Sequence, residues 1–544
     1  MRFSPPKWLD DAVFYEIYPQ SFCDSNADGI GDLPGIISRL DYVKSLGVNA
    51  IWLNPCFDSP FLDAGYDIRD YYKVAPRYGT NDDLARLIRE AHARGIRVVL
   101  DLVAGHTSLE HPWFKESMKK TANQYSRYYL WTDGRRESTD NYRFVNGYPS
   151  ERDGYYMINF FYCQPALNFG FTDPKPECSY QLPTSHPAVR MVREEIRNVM
   201  KFYLDMGCDG FRVDMAATLV RGTDPQPGLE ELWQDYRSWL KSNYPEAVLI
   251  SEWCVPEKAV KAGFDIDFML SFYTPGYASL FRNEEFRRCN PVREEEKRFS
   301  YFDRSARGDI RIFLRELEDN LEKLRSLDGY LSIVSGNHDL GRIRQGRTLQ
   351  ELKVIYAFLF TMPGVPFLYY GDEIGMDYVQ GIGNHEGSYN RGGARTPMQW
   401  EPGKKAGFSE AEPAEFYLPL DDASDRPDVA TQENDPESLL HTVRRLIALR
   451  RSSNALGTQG RFRSLSAENH GYPFVYERKG DDGSYVVAVN PADRTVQGEF
   501  AVAGSRLAKI FSVGDVATET LPGVHRITME PVSAAIYQVE GDIR

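Results

Sequence analysis

Three acidic residues stand where apolar runs end. Asp214 closes 209-DGFRVD-214, Glu252 closes 247-AVLISE-252, and Asp339 closes 331-LSIVSGNHD-339. Arg212 lies two residues before Asp214, so on an extended segment both side chains leave the same face. Asp101 and His106 end 95-GIRVVLDLVAGH-106, and His338 precedes Asp339. Charged groups are rarely buried in a core strand unless they are paired or do chemistry. A single charged residue at a strand end is more often structural. Three carboxylates, two histidines and an arginine at matching ends of different strands are hard to explain as solvation. The set supplies a carboxylate nucleophile that a neighbouring arginine keeps ionised, and a second carboxyl whose environment keeps it protonated. Those are the parts needed to break a glycosidic bond through a covalent intermediate.

Such residues need a scaffold that brings strand ends together. Apolar, strand-like runs fall at 12–22, 49–57, 95–106, 208–216, 247–254, 264–270, 331–339 and 364–373, with helical patterns between them. One helical pattern covers 34–47. Another covers 81–95, with Asn81 as its expected cap and Gly95 as its stop. Repeated β-then-α order implies a parallel sheet, and eight units fit a closed barrel whose chemistry sits at the C-terminal ends of the strands. The expected fold class is therefore α/β, a (β/α)8 TIM barrel formed by residues 1–106 and 174–455. A doubly wound open sheet is the alternative, and the absence of a GxGxxG turn lowers it. Residues 107–173 are rich in Tyr, Phe, Trp and Asn and are expected to form a small inserted domain after the third strand. Residues 374–435 carry many Gly, Pro, Asp and Glu and are expected to form long active-site loops. Residues 456–544 alternate short strands with turns, as in an antiparallel β-sandwich.

Composition sets outer limits. The chain has 544 residues, 42% hydrophobic and 26% charged, which is ordinary for a globular protein of two or three domains. Its formal charge of −14 argues against nucleic acid or an anionic membrane as partner. Seven cysteines, an odd number without a CxxC pair, read as reduced thiols. No signal-like N-terminus and no long apolar run stand out, so a cytoplasmic protein is expected. Whether it is a monomer or a homo-oligomer is left open.

The stretches VFYEIYPQSF, DSNADGIGDLPGIISRLDYVKSLGV, GYDIRDY, DLVAGHTS, EHPWF, GFRVD, SEW, NHDLGR and RTPMQW occur in this order over almost the whole chain. In them the chain resembles the α-amylase family of glycoside hydrolases, family 13, and within it the oligo-1,6-glucosidase and α-glucosidase branch. The resemblance implies Asp214 as nucleophile, Glu252 as general acid and then base, and Asp339 as transition-state stabiliser. It implies that Arg212 orients Asp214 with Asp101 behind it, that His106 and His338 bond sugar hydroxyls, and that Tyr66 stacks on the sugar. Asp67 and Arg395 would together hold the non-reducing end, and Phe160 would line the pocket.

The loop 24-DSNADGIGD-32 alternates oxygen-bearing side chains at Asp24, Asn26, Asp28 and Asp32, which suits a hard cation. It opens like an EF-hand loop, but its twelfth position is Gly35 where that motif has Glu. The resemblance implies a structural calcium or magnesium ion there, with the Ile30 carbonyl as a further ligand, and no cofactor for catalysis. Several positions depart from the family pattern. Gly105 stands where Asn is common, Ala166 replaces the acid of QPDLN, Gly392 and Gly393 replace a polar pair, and Met215 follows the nucleophile. The expected activity is a retaining, exo-acting α-glucosidase on a small α-glucoside or short oligosaccharide. A transglycosylase or sugar isomerase on the same scaffold is the alternative, and a non-catalytic binding relative is the remote one.

Overall fold

The eight apolar runs become eight short parallel strands: Phe14–Ile17, Ala50–Leu53, Arg97–Leu102, Gly210–Val213, Val248–Ser251, Ile266–Phe268, Tyr330–Ser332 and Phe367–Tyr369. They are taken here as barrel strands one to eight. This is a computed structural model, and it describes residues 3–132, 142–224, 226–271, 273–282, 299–503 and 506–540. From the first to the seventh each strand pairs with the next, and the first also pairs with the eighth. Just past the seventh strand Val334 bridges in parallel to Phe367, which closes the barrel. The expected (β/α)8 barrel is the observed fold.

Alternation along the strands decides what fills the barrel. Phe14, Phe268 and Phe367 meet inside it, with Phe14 and Phe367 stacked 4.3 Å apart and Phe268 5.0 Å from Phe367. Trp52 lies 5.7 Å from Phe268, and the Arg212 guanidinium lies 5.0 Å from the Trp52 ring. Two residues along from Phe14, Glu16 is also fully buried. Asp101 and Arg212 are register partners on strands three and four. A floor of aromatic rings thus carries a charged layer nearer the strand ends.

Two helices differ from their expected form. The 81–95 helix is capped by Thr80, which exchanges hydrogen bonds with Asp83 in a capping box. Asn81 is already helical, and its side chain bonds the Tyr72 carbonyl and the Val74 amide. The 34–47 pattern is two helices, Leu33–Ser38 and Leu40–Ser45, interrupted at Arg39. There the guanidinium lies 4.5 Å from the Trp400 ring and donates to the Gly407 carbonyl, tertiary contacts that the local pattern does not contain.

Between barrel strand three and the helix Pro187–Met206 the chain leaves the barrel. It forms a hairpin from Phe144–Asn146 and Tyr155–Met157, and it returns to the third strand's end through a bridge between His106 and Ala166. Beyond the helix Leu439–Arg451 come a five-stranded and a three-stranded sheet, both antiparallel. Buried Arg478 ties this part to the barrel by donating to the Thr361 carbonyl, as well as to those of Gly457 and Gly460, while buried Arg450 holds the helix to the barrel by donating to the carbonyls of Phe360, Met362 and Gly364. Cys23, Cys56, Cys163, Cys208 and Cys254 are free thiols, and Cys289 lies outside the described residues. No described helix is long and apolar enough to cross a membrane.

Candidate active site

Arg212 is the centre of one half of the site. It is 2% exposed. Its Nη1 donates to Asp101 at 3.0 Å and to Asp214 at 3.3 Å, and its Nη2 lies 2.9 Å from Glu252. Asp101 Oδ2 also accepts from the Trp52 indole and the Tyr66 hydroxyl, each at 3.0 Å. One guanidinium therefore holds three carboxylates from strands three, four and five. Burial, and then the charge of Glu252, push the Asp214 carboxyl well above its ordinary value, while Arg212 pulls it down. The chain turns sharply after Asp214. Met215 adopts a left-handed backbone, φ 46°, and its amide donates to Glu252 at 3.0 Å.

The other half is a ladder of alternating charge. Glu16 accepts from His338 Nδ1 at 2.8 Å, and His338 Nε2 lies 3.2 Å from Asp339 Oδ2 and 2.8 Å from the Tyr66 hydroxyl. Carboxylates at both ring nitrogens are satisfied together only by an imidazolium. Burial alone would lower the His338 pKa, but Asp339 and Glu16 raise it to about 9. Burial alone would raise the Asp339 carboxyl, but His338, Arg391 and Arg395 hold it well below its usual value. Asp339 Oδ1 accepts from Arg391 at 2.6 Å and Arg395 at 2.9 Å.

The structure corrects three expected placements. Asp67 and Arg395 do not face each other. Asp67 is fully buried, and its carboxylate accepts from Ser59 and from the amides of Leu62 and Asp63. It shapes the turn; the aspartate that reaches an arginine is Asp63, 3.3 Å from Arg391. Gln164 of the inserted segment steadies Asp63 from the other side at 2.7 Å. Arg395 instead runs beneath the site, donating to the His338 carbonyl and to Asp339. His106 has no ring nitrogen left for a sugar. Its Nε2 lies 2.9 Å from the Tyr66 carbonyl and its Nδ1 3.0 Å from the Asn159 amide, and burial lowers its pKa to about 4. Tyr66 stacks on the His338 ring at 5.3 Å. Phe160 is 41% exposed and packs 4.5 Å from Phe161, which meets Tyr389 at 5.3 Å.

Sequence reasoning missed Glu16, Asp63, Asn159, Gln164 and Arg391. Two of them had near-twins: Asp63 precedes Asp67 by four residues and Arg391 precedes Arg395 by four. Spacing alone could not choose between the members of each pair.

In the 24–32 loop the side-chain oxygens cap backbone amides. Asp24 accepts from Asn26, Ala27 and Gly29, Asn26 from Asp28, Asp28 from Ile30, and Asp32 from Ser25 and Gly35. Burial raises the Asp32 carboxyl, and the charge of Asp24 adds to the rise. Among the described residues no three His, Cys, Asp or Glu side chains are grouped as a metal centre. The donors are nonetheless all oxygen, the chemistry a hard cation takes.

With this geometry established, comparison with known proteins decides the family. Residues 16–459 match the family model described as alpha amylase, catalytic domain. The chain belongs to the α-amylase family. It is an enzyme that acts on glycosidic bonds. This α-amylase family member is 35% identical to the trehalose synthase/amylase TreS of Mycobacterium tuberculosis over 90% of its own length and 83% of the relative's. It is 31% identical to an oligo-1,6-glucosidase of Parageobacillus thermoglucosidasius over 98% and 99% of the two chains. Among solved structures, the trehalulose synthase of Pseudomonas mesoacidophila MX-45 superposes with a TM-score of 0.80 at 26% identity, covering 98% of this chain and 99% of that one.

Proposed function

We propose that this enzyme is a retaining, exo-acting α-glucosidase that takes small α-glucosides or short oligosaccharides. Asp214 attacks the anomeric carbon while Glu252 protonates the departing oxygen. Glu252 then takes a proton from the water that releases the glycosyl group. Arg212 serves both steps, since it contacts both carboxyl groups and stabilises whichever is ionised. Asp339, held ionised by three cations, accepts hydroxyl hydrogens of the sugar as the ring flattens. His338 and Tyr66 form a flat wall beside that sugar.

The observation that carries the exo reading is the Arg391 bridge. Arg391 spans Asp63 and Asp339, from the loop after strand two to the loop after strand seven, and a bridge there would close that end of the site around one terminal sugar. A second reading, transfer or isomerisation in place of hydrolysis, is supported by the likeness to a trehalose synthase and a trehalulose synthase. The two readings share every residue named above and differ in whether water reaches the intermediate. We also propose that Asp24, Asn26, Asp28, the Ile30 carbonyl and Asp32 hold a structural calcium or magnesium ion. All-oxygen donors support it.

The test is product analysis by NMR on maltose, isomaltose, sucrose, trehalose, kojibiose and nigerose, with Asp214→Asn as the inactive control. Glucose released first as the α-anomer supports the hydrolase and names its linkage. New disaccharides move the assignment to transfer. A wild type that matches the control on every sugar overturns glucosidase activity on this panel.

A further inference from the structure

Gly105 precedes His106 at the end of barrel strand three, where its backbone makes no use of glycine's left-handed freedom. What it lacks is room. A Cβ at position 105 would sit 2.7 Å from Asn159 Nδ2, closer than real side chains approach. Asn159 comes from the inserted segment, 53 residues beyond His106 in the chain. Its backbone is fixed by a bond from its amide to the Gln164 carbonyl at 3.0 Å and one from Arg143 to its own carbonyl at 3.0 Å.

The Asn159 side chain reaches three elements at once. Nδ2 lies 3.0 Å from His106 Nδ1 and 3.7 Å from Met215 Sδ, and Oδ1 accepts from Arg221 at 3.3 Å. An amide nitrogen only donates, so His106 Nδ1 must be the bare acceptor and the ring proton must lie on Nε2. That proton is the one given to the carbonyl of Tyr66, the residue whose hydroxyl bonds Asp101 and His338. The second amide hydrogen faces Met215, whose own backbone amide donates to Glu252. One side chain therefore touches the supports of both halves of the site while contacting none of Asp214, Glu252 and Asp339 in the hydrogen bonds formed.

We infer that Asn159 is a positioning residue of the inserted segment, that it fixes the His106 tautomer and the seat of Met215, and that Gly105 is glycine to admit it. Gly105, Asn159 and Met215 then form one mutually dependent set, so two departures from the family pattern, Gly105 and Met215, become parts of a single arrangement. The inference rests on the reading of Asp214 and Glu252 as the reacting pair.

The test combines kinetics with histidine NMR. Asn159→Leu keeps the volume and removes the donors; kcat is expected to fall at least about tenfold with KM changed less than about threefold, because the altered groups support reacting atoms. Gly105→Ala is expected to lose activity by pushing the amide aside, and Gly105→Ala combined with Asn159→Ala to recover part of it by freeing the space. In Asn159→Asp a carboxylate faces Nδ1 and draws a proton to it, so the ¹⁵N resonances of His106 are expected to change from one bare nitrogen to two protonated ones. Wild-type kcat in a folded Asn159→Leu, or His106 with Nδ1 protonated in the wild type, overturns the inference. No recovery in the double variant overturns the part assigned to Gly105. If Asp214→Asn retains full activity, the reading of the reacting pair fails instead, while the NMR result still judges the tautomer.

Discussion

Glu16→Gln removes one charge from the site and almost nothing else. The amide oxygen keeps the place of Glu16 Oε1, which accepts from the ring and the backbone amide of His338. The other carboxylate oxygen has no hydrogen-bond partner among the described residues, so no bond is lost there. The charge nevertheless matters. The rise of the His338 pKa from 6.5 to about 9 corresponds to about 3 kcal/mol of preference for the imidazolium. Unit charges about 4 Å apart interact by about 4 kcal/mol at an effective dielectric of 20, and the hydrogen bond that remains returns part of this. Removing Glu16's charge is therefore expected to lower the His338 pKa by roughly two pH units, while Asp339 stays beside the ring. The direct assay is histidine ¹⁵N NMR across pH, with His338→Asn used to assign the signal among nine histidines. The alkaline limb of kcat/KM should move the same way. The stability sign follows from linkage. A folded-state pKa raised above the unfolded value adds stability that is fully present below about pH 6.5 and is lost as pH rises through about 9. Wild-type enzyme should thus lose stability over that window, and Glu16→Gln should lose the His338 share earlier. A wild-type His338 that titrates at or below its ordinary value, or a variant within about half a pH unit of wild type, would refute the charge ladder.

Other outcomes follow from the same geometry. Arg391→Ala should raise KM and lower kcat/KM by about a hundredfold, since it opens the end that the bridge would close and frees Asp63 and Asp339, and its products from longer oligosaccharides should include internal cleavage. Steady-state kinetics and chromatography on a maltooligosaccharide series check this, and wild-type end-specificity would contradict it. Arg450→Met should destabilise the fold by about 3–5 kcal/mol, because three buried carbonyls lose their donor, and should leave kcat unchanged at temperatures where the enzyme stays folded. Thermal unfolding monitored with activity tests it. Chelation with EDTA should lower Tm, and added calcium or magnesium should restore it, with Asp28→Ala abolishing the response. A Tm indifferent to chelator and ion would remove the proposed cation from the 24–32 loop.

The order of strands and the identity of the charged strand ends were readable from local pattern. A strand turns every second residue to one face, so Arg212 and Asp214 had to share a side, and the helical stretches between the runs forced the strands to lie parallel. That was enough to give the barrel and to put Asp101, Arg212, Asp214 and Glu252 together at its mouth. Residues in loops obey no such period. Asp63 and Asp67 look alike in sequence, and so do Arg391 and Arg395, yet one member of each pair faces the site while the other supports it. The choice depends on where the turn after strand two and the long loop after strand eight meet. Glu16 read as part of an apolar strand until the closed barrel set it against His338, 322 residues away. The replacement of a side chain at Gly105 by the amide of Asn159 is invisible without the fold of the inserted segment. Local chemistry fixes which faces the strands present, whereas the partners across the barrel mouth are set by contacts between segments far apart in the chain, and those contacts exist only once the barrel has closed.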